Sequence, residues 1–246
     1  MPNVKIFCIF CISANRLNIL QENVIKTLPN IASEFLFKVC VATLIINCIF
    51  SFHCEYVGGI MRKNFGAKEW LYPMPVLIVA SYDKDGTPDA MNAAWGAISD
   101  EKEIGLCLSA SHKTVKNILE RKAFTVSVGT AELAKECDYV GLVSANNTPD
   151  KFTKAGFHAE KSEFVDAPLI RELPFALECN LISYDEKTSH LFGQIVNVSI
   201  DDSVLDSNGK VDVKKLNPIS YDPVNQHYLK LGDFAGKAFS IGLELK

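Results

Sequence analysis

No Gly-x-Gly-x-x-Gly follows a strand-like run anywhere in the 246 residues, which excludes a dedicated dinucleotide-binding fold. No Gly-x-Ser-x-Gly elbow occurs either, so a serine hydrolase built on His112 or His190 has no support. Basic charge is short. Residues 1–60 carry four Lys/Arg and three Asp/Glu, which leaves 21 against 26 from Met61 onward, a net charge of −5. That balance argues against a nucleic-acid binder, which shows a basic face. Cysteine is sparse after Met61. Cys107, Cys137 and Cys179 are widely spaced and odd in number, which excludes a disulfide framework and points to a reducing cytoplasm. Internal repeats and low-complexity linkers are also missing after Met61.

The first sixty residues differ from the rest. They hold five of the eight cysteines, and residues 35–52, FLFKVCVATLIINCIFSF, are almost continuously apolar. The uninterrupted run begins only after Lys38, short of the ~20 apolar residues of a spanning helix. It lies too far from the N-terminus for a secretory signal, with no clean cleavage site after it. Cys8 and Cys11 form a Cys-x-x-Cys, but no second such pair and no His-x3-His follows at zinc spacing, so no metal site is expected. Val57-Gly58-Gly59 can be encoded by a purine-rich ribosome-binding sequence just upstream of the Met61 codon. The expectation is that Met61 is the true start and residues 1–60 are translated upstream DNA.

From Met61 the pattern is mostly strand and long enough for one substantial core. Residues 75–81, PVLIVAS, form a β-branched apolar run that stops at Asp85-Gly86, a hairpin signal. Residues 88–99 return as a second strand, and 104–109 make a third after a charged turn. Val115, Ile118 and Leu119 place a helix over 113–121. A strand over 124–128, a short helix over 131–137 and an irregular 143–157 follow. Residues 175–181 and 190–200 alternate as a strand pair, each with one buried face. Short strands with few helices imply a closed or nearly closed antiparallel barrel.

Two stretches carry chemistry. Asn92, Ala93, Ala94, Gly96 and Ala97 are undersized for a core strand, so something else fills the space beside them. Trp95 among them is either core or a pocket wall. Just ahead of the 113–121 helix stand Ser109, Ser111, His112, Lys113 and Thr114. A helix start presents unpaired N–H groups and partial positive charge, an anion site that hydroxyls and a cation sharpen. Simple Ser or Thr capping is the alternative. Together the two stretches suit a flat aromatic ligand with a phosphate tail.

At these residues the chain resembles the flavin reductase-like family, close to flavoredoxin. The likeness runs through Pro-x-x-Val-Leu-Ile-Val, Asp-Gly-x-Pro-Asp-Ala-Met-Asn-Ala-Ala-Trp, His-Lys-Thr-x-Lys-Asn-Ile and Phe-Thr-Val-Ser-Val. It continues through Asp150-Lys151-Phe152, Pro168 and Leu177-Glu178-Cys179 to Tyr228-Leu229-Lys230-Leu231-Gly232, covering nearly all of 61–246 and none of 1–60. The resemblance implies a mainly β fold, an FMN-binding split β-barrel, antiparallel and Greek-key-like, with a few short helices. It implies a homodimer with FMN near the subunit interface. Asn92, Ala93, Ala94 and Trp95 would line the isoalloxazine; Ser109, Ser111, His112, Lys113 and Thr114 would hold the ribityl and phosphate. Lys151 would reach the flavin or its phosphate, or else is a surface lysine on a mobile turn. Two positions depart from the family pattern: Ala145 follows Ser144 where relatives often have glycine, and His112 stands where many carry arginine. The implied activity is NAD(P)H oxidation through FMN, with free flavin, iron or a protein as acceptor. A flavoredoxin-like electron carrier is the alternative. The cofactor carries the chemistry, so no catalytic side chain is assigned. No membrane or nucleic-acid partner is expected for 61–246.

Overall fold

Strand β2 (Leu77–Tyr82) explains much of the architecture, because both of its faces are buried. In the computed structural model, which describes residues 62–246, Leu77 and Val79 point into one core while Val76, Ile78 and Ala80 point into a second. A continuous apolar run is what a two-faced strand requires. Every element named below lies in one compact unit, Lys68–Lys246. The proposed upstream origin of residues 1–60, their Cys-x-x-Cys and their apolar run lie outside the described residues.

Around β2 the short β1 (Met74–Pro75) precedes it, and β3 (Pro88–Ala93), β4 (Gly96–Asp100) and β5 (Glu103–Cys107) follow. Then come α1 (Lys113–Arg121), β6 (Ala123–Val128), α2 (Ala134–Leu142) and α3 (Lys151–Lys154). The small hairpin β7 (Ala159–Lys161) and β8 (Pro168–Ile170) leads to the long pair β9 (Phe175–Asp185) and β10 (His190–Ile200). Helix α4 (Val213–Leu216) and the hairpin β11 (Ile219–Asp222) and β12 (His227–Lys230) close the order. Among the described residues the fold is mainly antiparallel β with four short α-helices, and no helix is long and apolar enough to cross a membrane.

The main sheet has seven strands in the order β3-β2-β6-β9-β10-β5-β4, every pair antiparallel. Its two edges, β3 and β4, are consecutive in the chain and separated only by Ala94 and Trp95. The three Cα–Cα steps from Ala93 to Gly96 reach about 10–11 Å at most, so the sheet curls until its edges nearly meet. The result is a barrel split between β3 and β4. The sequence pattern over 88–99 reads as one strand; the structure breaks it at Ala94-Trp95, where the chain steps from one edge to the other. Trp95 still offers its carbonyl to the N–H of Cys107 at 2.8 Å, anchoring the step to β5.

The barrel interior holds Val79, Met91, Ile104, Leu106, Phe124 and Leu191, and α1 plugs it with Val115 and Ile118. Outside, α2, α3 and the last hairpin cover β2 and β3 through Cys137, Val140, Phe152, Phe157 and Ile219. Strand β9 departs from simple alternation over its first half, where Ala176, Glu178 and Cys179 are all buried and Ser162 of the β7–β8 turn donates to the Glu178 carboxylate. On β10 the alternation holds across a register shift between Ile195 and Asn197: Val196 and Val198 lie on one face, as expected, and that face is exposed.

Candidate functional site

The split in the barrel opens into a cavity of about 410 Å³, within the size range of small-molecule sites. One wall is the end of β3 and the step that follows it, Met91 through Trp95. Ala93 and Ala94 keep that wall thin. The facing wall is the C-terminal end of α2, Val140 to Ser144. Gly141 is what lets this helix end approach β3: a Cβ there would lie 2.9 Å from Cβ of Asn92, closer than side chains tolerate. Cys107 and Leu108 line the cavity from β5, and the start of α1 supplies His112, Lys113 and Thr114.

The start of α1 is uncapped. Its N-cap is His112 in extended conformation, and no side chain accepts from the first turn. Ser or Thr capping is therefore not what these residues do. The first-turn N–H groups lack intrahelical partners and face a cavity, which favours an anion. His112 is held below the ordinary histidine value by burial and by the charge of Lys151, with Asp89 working the other way. It stays neutral near pH 7.

The remaining sequence-predicted residues divide. Asn92 lines the cavity but spends its amide behind the wall, donating to Cys137 O at 3.0 Å and Tyr228 Oη at 3.4 Å. Tyr228 in turn donates to Asp138 at 2.7 Å, which ties β12, α2 and β3 together. Trp95 is 54 % exposed, so it is a wall at the mouth rather than core. Thr114 is buried and its hydroxyl donates to Asp89 Oδ2 at 2.6 Å, so it has no proton left to offer a phosphate. Ser109 and Ser111 do not line the cavity: a turn closed by His112 N–H to Ser109 O places them on the exposed rim, 2.9 Å from one another. Asn146 donates to Ser111 O at 3.1 Å and fastens the 144–147 loop to that rim.

Lys151 is not a surface lysine. It is 3 % exposed, donates to the carbonyls of Val140 and Val143 at 3.1 Å each, and pairs with Asp89 at 3.4 Å. Its ammonium terminates α2, where helix carbonyls favour a cation. The residues missed in the sequence are Asp89, Tyr228 and the α2 end. Asp89, a lone carboxylate in the otherwise apolar and small run Pro88–Ala93, was the one available signal. Among the described residues no group of three or more His, Cys, Asp or Glu side chains could hold a metal.

An antiparallel barrel split at its own edges, with a cavity at the split between an uncapped helix start and a thin small-residue strand, defines a class of small-ligand barrel. Comparison with known proteins narrows it. Residues 70–221 match the flavin reductase like domain, and the chain belongs to that family. It is similar to flavoredoxin of Desulfovibrio vulgaris (Miyazaki F), at 38 % identity and a TM-score of 0.71, over 74 % of this chain and 100 % of that one. It is similar to flavoredoxin from Methanosarcina acetivorans, at 26 % identity and a TM-score of 0.69, over 76 % and 100 %. An uncharacterized protein of Aquifex aeolicus is 31 % identical over 160 residues, 60 % of this chain and 79 % of that protein.

Proposed function

We propose that the chain holds FMN in the cavity at the split of the barrel and serves as an oxidoreductase that takes electrons from NAD(P)H. The observation that carries this reading is the uncapped start of α1 facing a cavity beside a strand of undersized residues. The donor set suits the group: Lys113 and first-turn N–H groups for a phosphate, Ala93 and Ala94 for close approach of a flat ring, and Trp95 at the mouth. FMN, when bound, supplies hydride acceptance and one-electron transfer. The protein's own work is to orient it, to exclude water on the α2 side, and to set the local charge. Free flavin, iron or a partner protein is the acceptor.

The likeness to two flavoredoxins favours a second reading, an FMN electron carrier with little NAD(P)H turnover. Stopped-flow bleaching of the FMN-loaded protein separates them. Fast bleaching by NADH or NADPH supports the oxidoreductase, and slow bleaching by both overturns it in favour of the carrier.

A homodimer is part of the same proposal. Trp95, Ile98 and Phe192 are exposed on β4, β10 and the step before them. Trp95 and Phe192 line a second, mostly apolar trough of about 580 Å³ that shares Ala94, Trp95 and Cys107 with the first cavity. A second copy covering this face would bring the subunit boundary to the mouth of the site. Sedimentation at micromolar concentration tests this, and a monomer refutes it. Cytoplasmic residence accords with the free thiols of Cys107, Cys137 and Cys179.

A further inference from the structure

Asp89 lies behind the cavity wall. It is 3 % exposed and does not line the cavity, yet two lining residues are fastened to it. Thr114 of α1 donates to its Oδ2 at 2.6 Å, and the Lys151 ammonium of α3 lies 3.4 Å from its Oδ1. Lys151 also holds the Val140 and Val143 carbonyls at the end of α2. One carboxylate on β3 thus joins three helices around one cavity. The ion pair is polarised, because Lys151 lines the cavity and Asp89 does not.

A buried ammonium is costly unless it is paired and fully hydrogen-bonded. Burial pulls Lys151 below the ordinary lysine value, and Asp89 opposes that pull. The other titratable groups that line the cavity with Lys151 are His112 and Lys113 of α1 and Cys107 of β5; His112 is itself held below its ordinary value by burial and by Lys151. Without Asp89 the desolvation of Lys151 has no counterweight from a side chain.

We propose that Asp89 is the positioning residue of this cavity: from behind the wall it fixes the Lys151 ammonium at the cavity face and the first turn of α1 beside it. The ammonium's three N–H groups are turned to Val140 O, Val143 O and Asp89, so an anionic ligand meets it as a fixed positive charge in the wall rather than as a hydrogen-bond donor, with no flexible side chain left to order. The inference rests on the reading of the cavity as an FMN site. A fixed cation at the wall also favours the more negative, reduced form of such a ligand, which raises its potential.

The test is calorimetric titration of FMN into the full chain across roughly pH 7–9.5, above the range of His112. The variants are Asp89→Asn, Thr114→Val, Lys151→Met and the Asp89→Asn/Lys151→Met pair. Wild type gives a flat profile. Asp89→Asn loses FMN affinity with rising pH, by about tenfold or more, as Lys151 gives up its proton. The double variant and Thr114→Val bind more weakly but stay flat, because neither holds a lysine without its counter-charge. In Lys151→Met the potential of bound FMN moves negative. A folded Asp89→Asn protein with wild-type affinity and a flat profile overturns the proposal. Should that variant not fold, Lys151→Met with unchanged affinity and unchanged potential overturns it equally. A wild-type protein that takes up no FMN instead removes the site reading itself, and the inference with it.

Discussion

Replacing Gly141 by alanine separates the cavity from the core. The new Cβ would stand 2.9 Å from Asn92 Cβ and 3.7 Å from Asn92 Cγ. Carbon atoms settle at roughly 3.5–4.0 Å, so the end of α2 must retreat from β3 by about 0.6–1.1 Å. Overpacking of this kind costs about 1–3 kcal/mol. The gain in helix propensity on replacing glycine returns up to about 1 kcal/mol. The net loss is therefore about 0–2 kcal/mol, which lowers the melting temperature by a few degrees, at about 2–4 °C per kcal/mol. The site suffers more than the fold. Gly141, Leu142, Val143 and Ser144 all line the cavity, and the retreat strains the Asn92–Cys137 bond and both carbonyl bonds of Lys151. The expected outcome is a nearly normal melt with FMN affinity reduced about tenfold or more, equivalent to roughly 1.4 kcal/mol. A Gly141→Ala protein that binds FMN as tightly as wild type would refute the claim that this close approach shapes the site.

Gly193→Ala should show the opposite pattern. Its Cβ would meet the buried Phe124 ring 2.3 Å away inside the barrel, so stability falls by about 1–3 kcal/mol while folded molecules keep their FMN affinity; thermal melts and titration in parallel check this. His112 predicts an acid-side loss of stability. Its folded value lies below the unfolded 6.5, so the unfolded chain binds the extra proton, and stability present above pH 6.5 declines as pH falls through that value toward the folded one. His112→Asn should flatten that part of a denaturation profile measured against pH. Binding a phosphate beside His112 should also draw a proton onto it, so wild-type FMN affinity rises on acidification below pH 6.5 and that of His112→Asn rises less. Lys113→Ala should weaken FMN and leave riboflavin, which lacks the phosphate, unaffected; equal losses for both ligands would contradict its placement at the phosphate end.

Local signals in the chain located the elements well. Asp85-Gly86 marked the β2–β3 turn, where Gly86 takes a φ of 84°, and the apolar spacing over 113–121 coincides with α1. The small residues of 92–97 marked the strand that flanks the cavity. What local pattern could not show is long-range. Nothing in a run of small residues says that Ala94-Trp95 carries the chain from one sheet edge to the other, since both halves look alike. Helix α2 runs on to Leu142 rather than stopping near Cys137 because its last turn packs by Gly141 against β3, a contact without periodic signature. Lys151 looks like any lysine in a polar loop until Asp89, far away in the chain, is brought beneath it. The hydroxyl of Thr114 was legible as a donor near an anion site, but its commitment to that same carboxylate was not.

The central claim is that the cavity between the end of β3, the start of α1 and the end of α2 is filled by FMN. Titrating purified protein with FMN while recording heat and the visible spectrum tests it most directly. The account predicts saturation at one FMN per chain with a perturbed flavin absorption band, and no heat with an unchanged spectrum would contradict it.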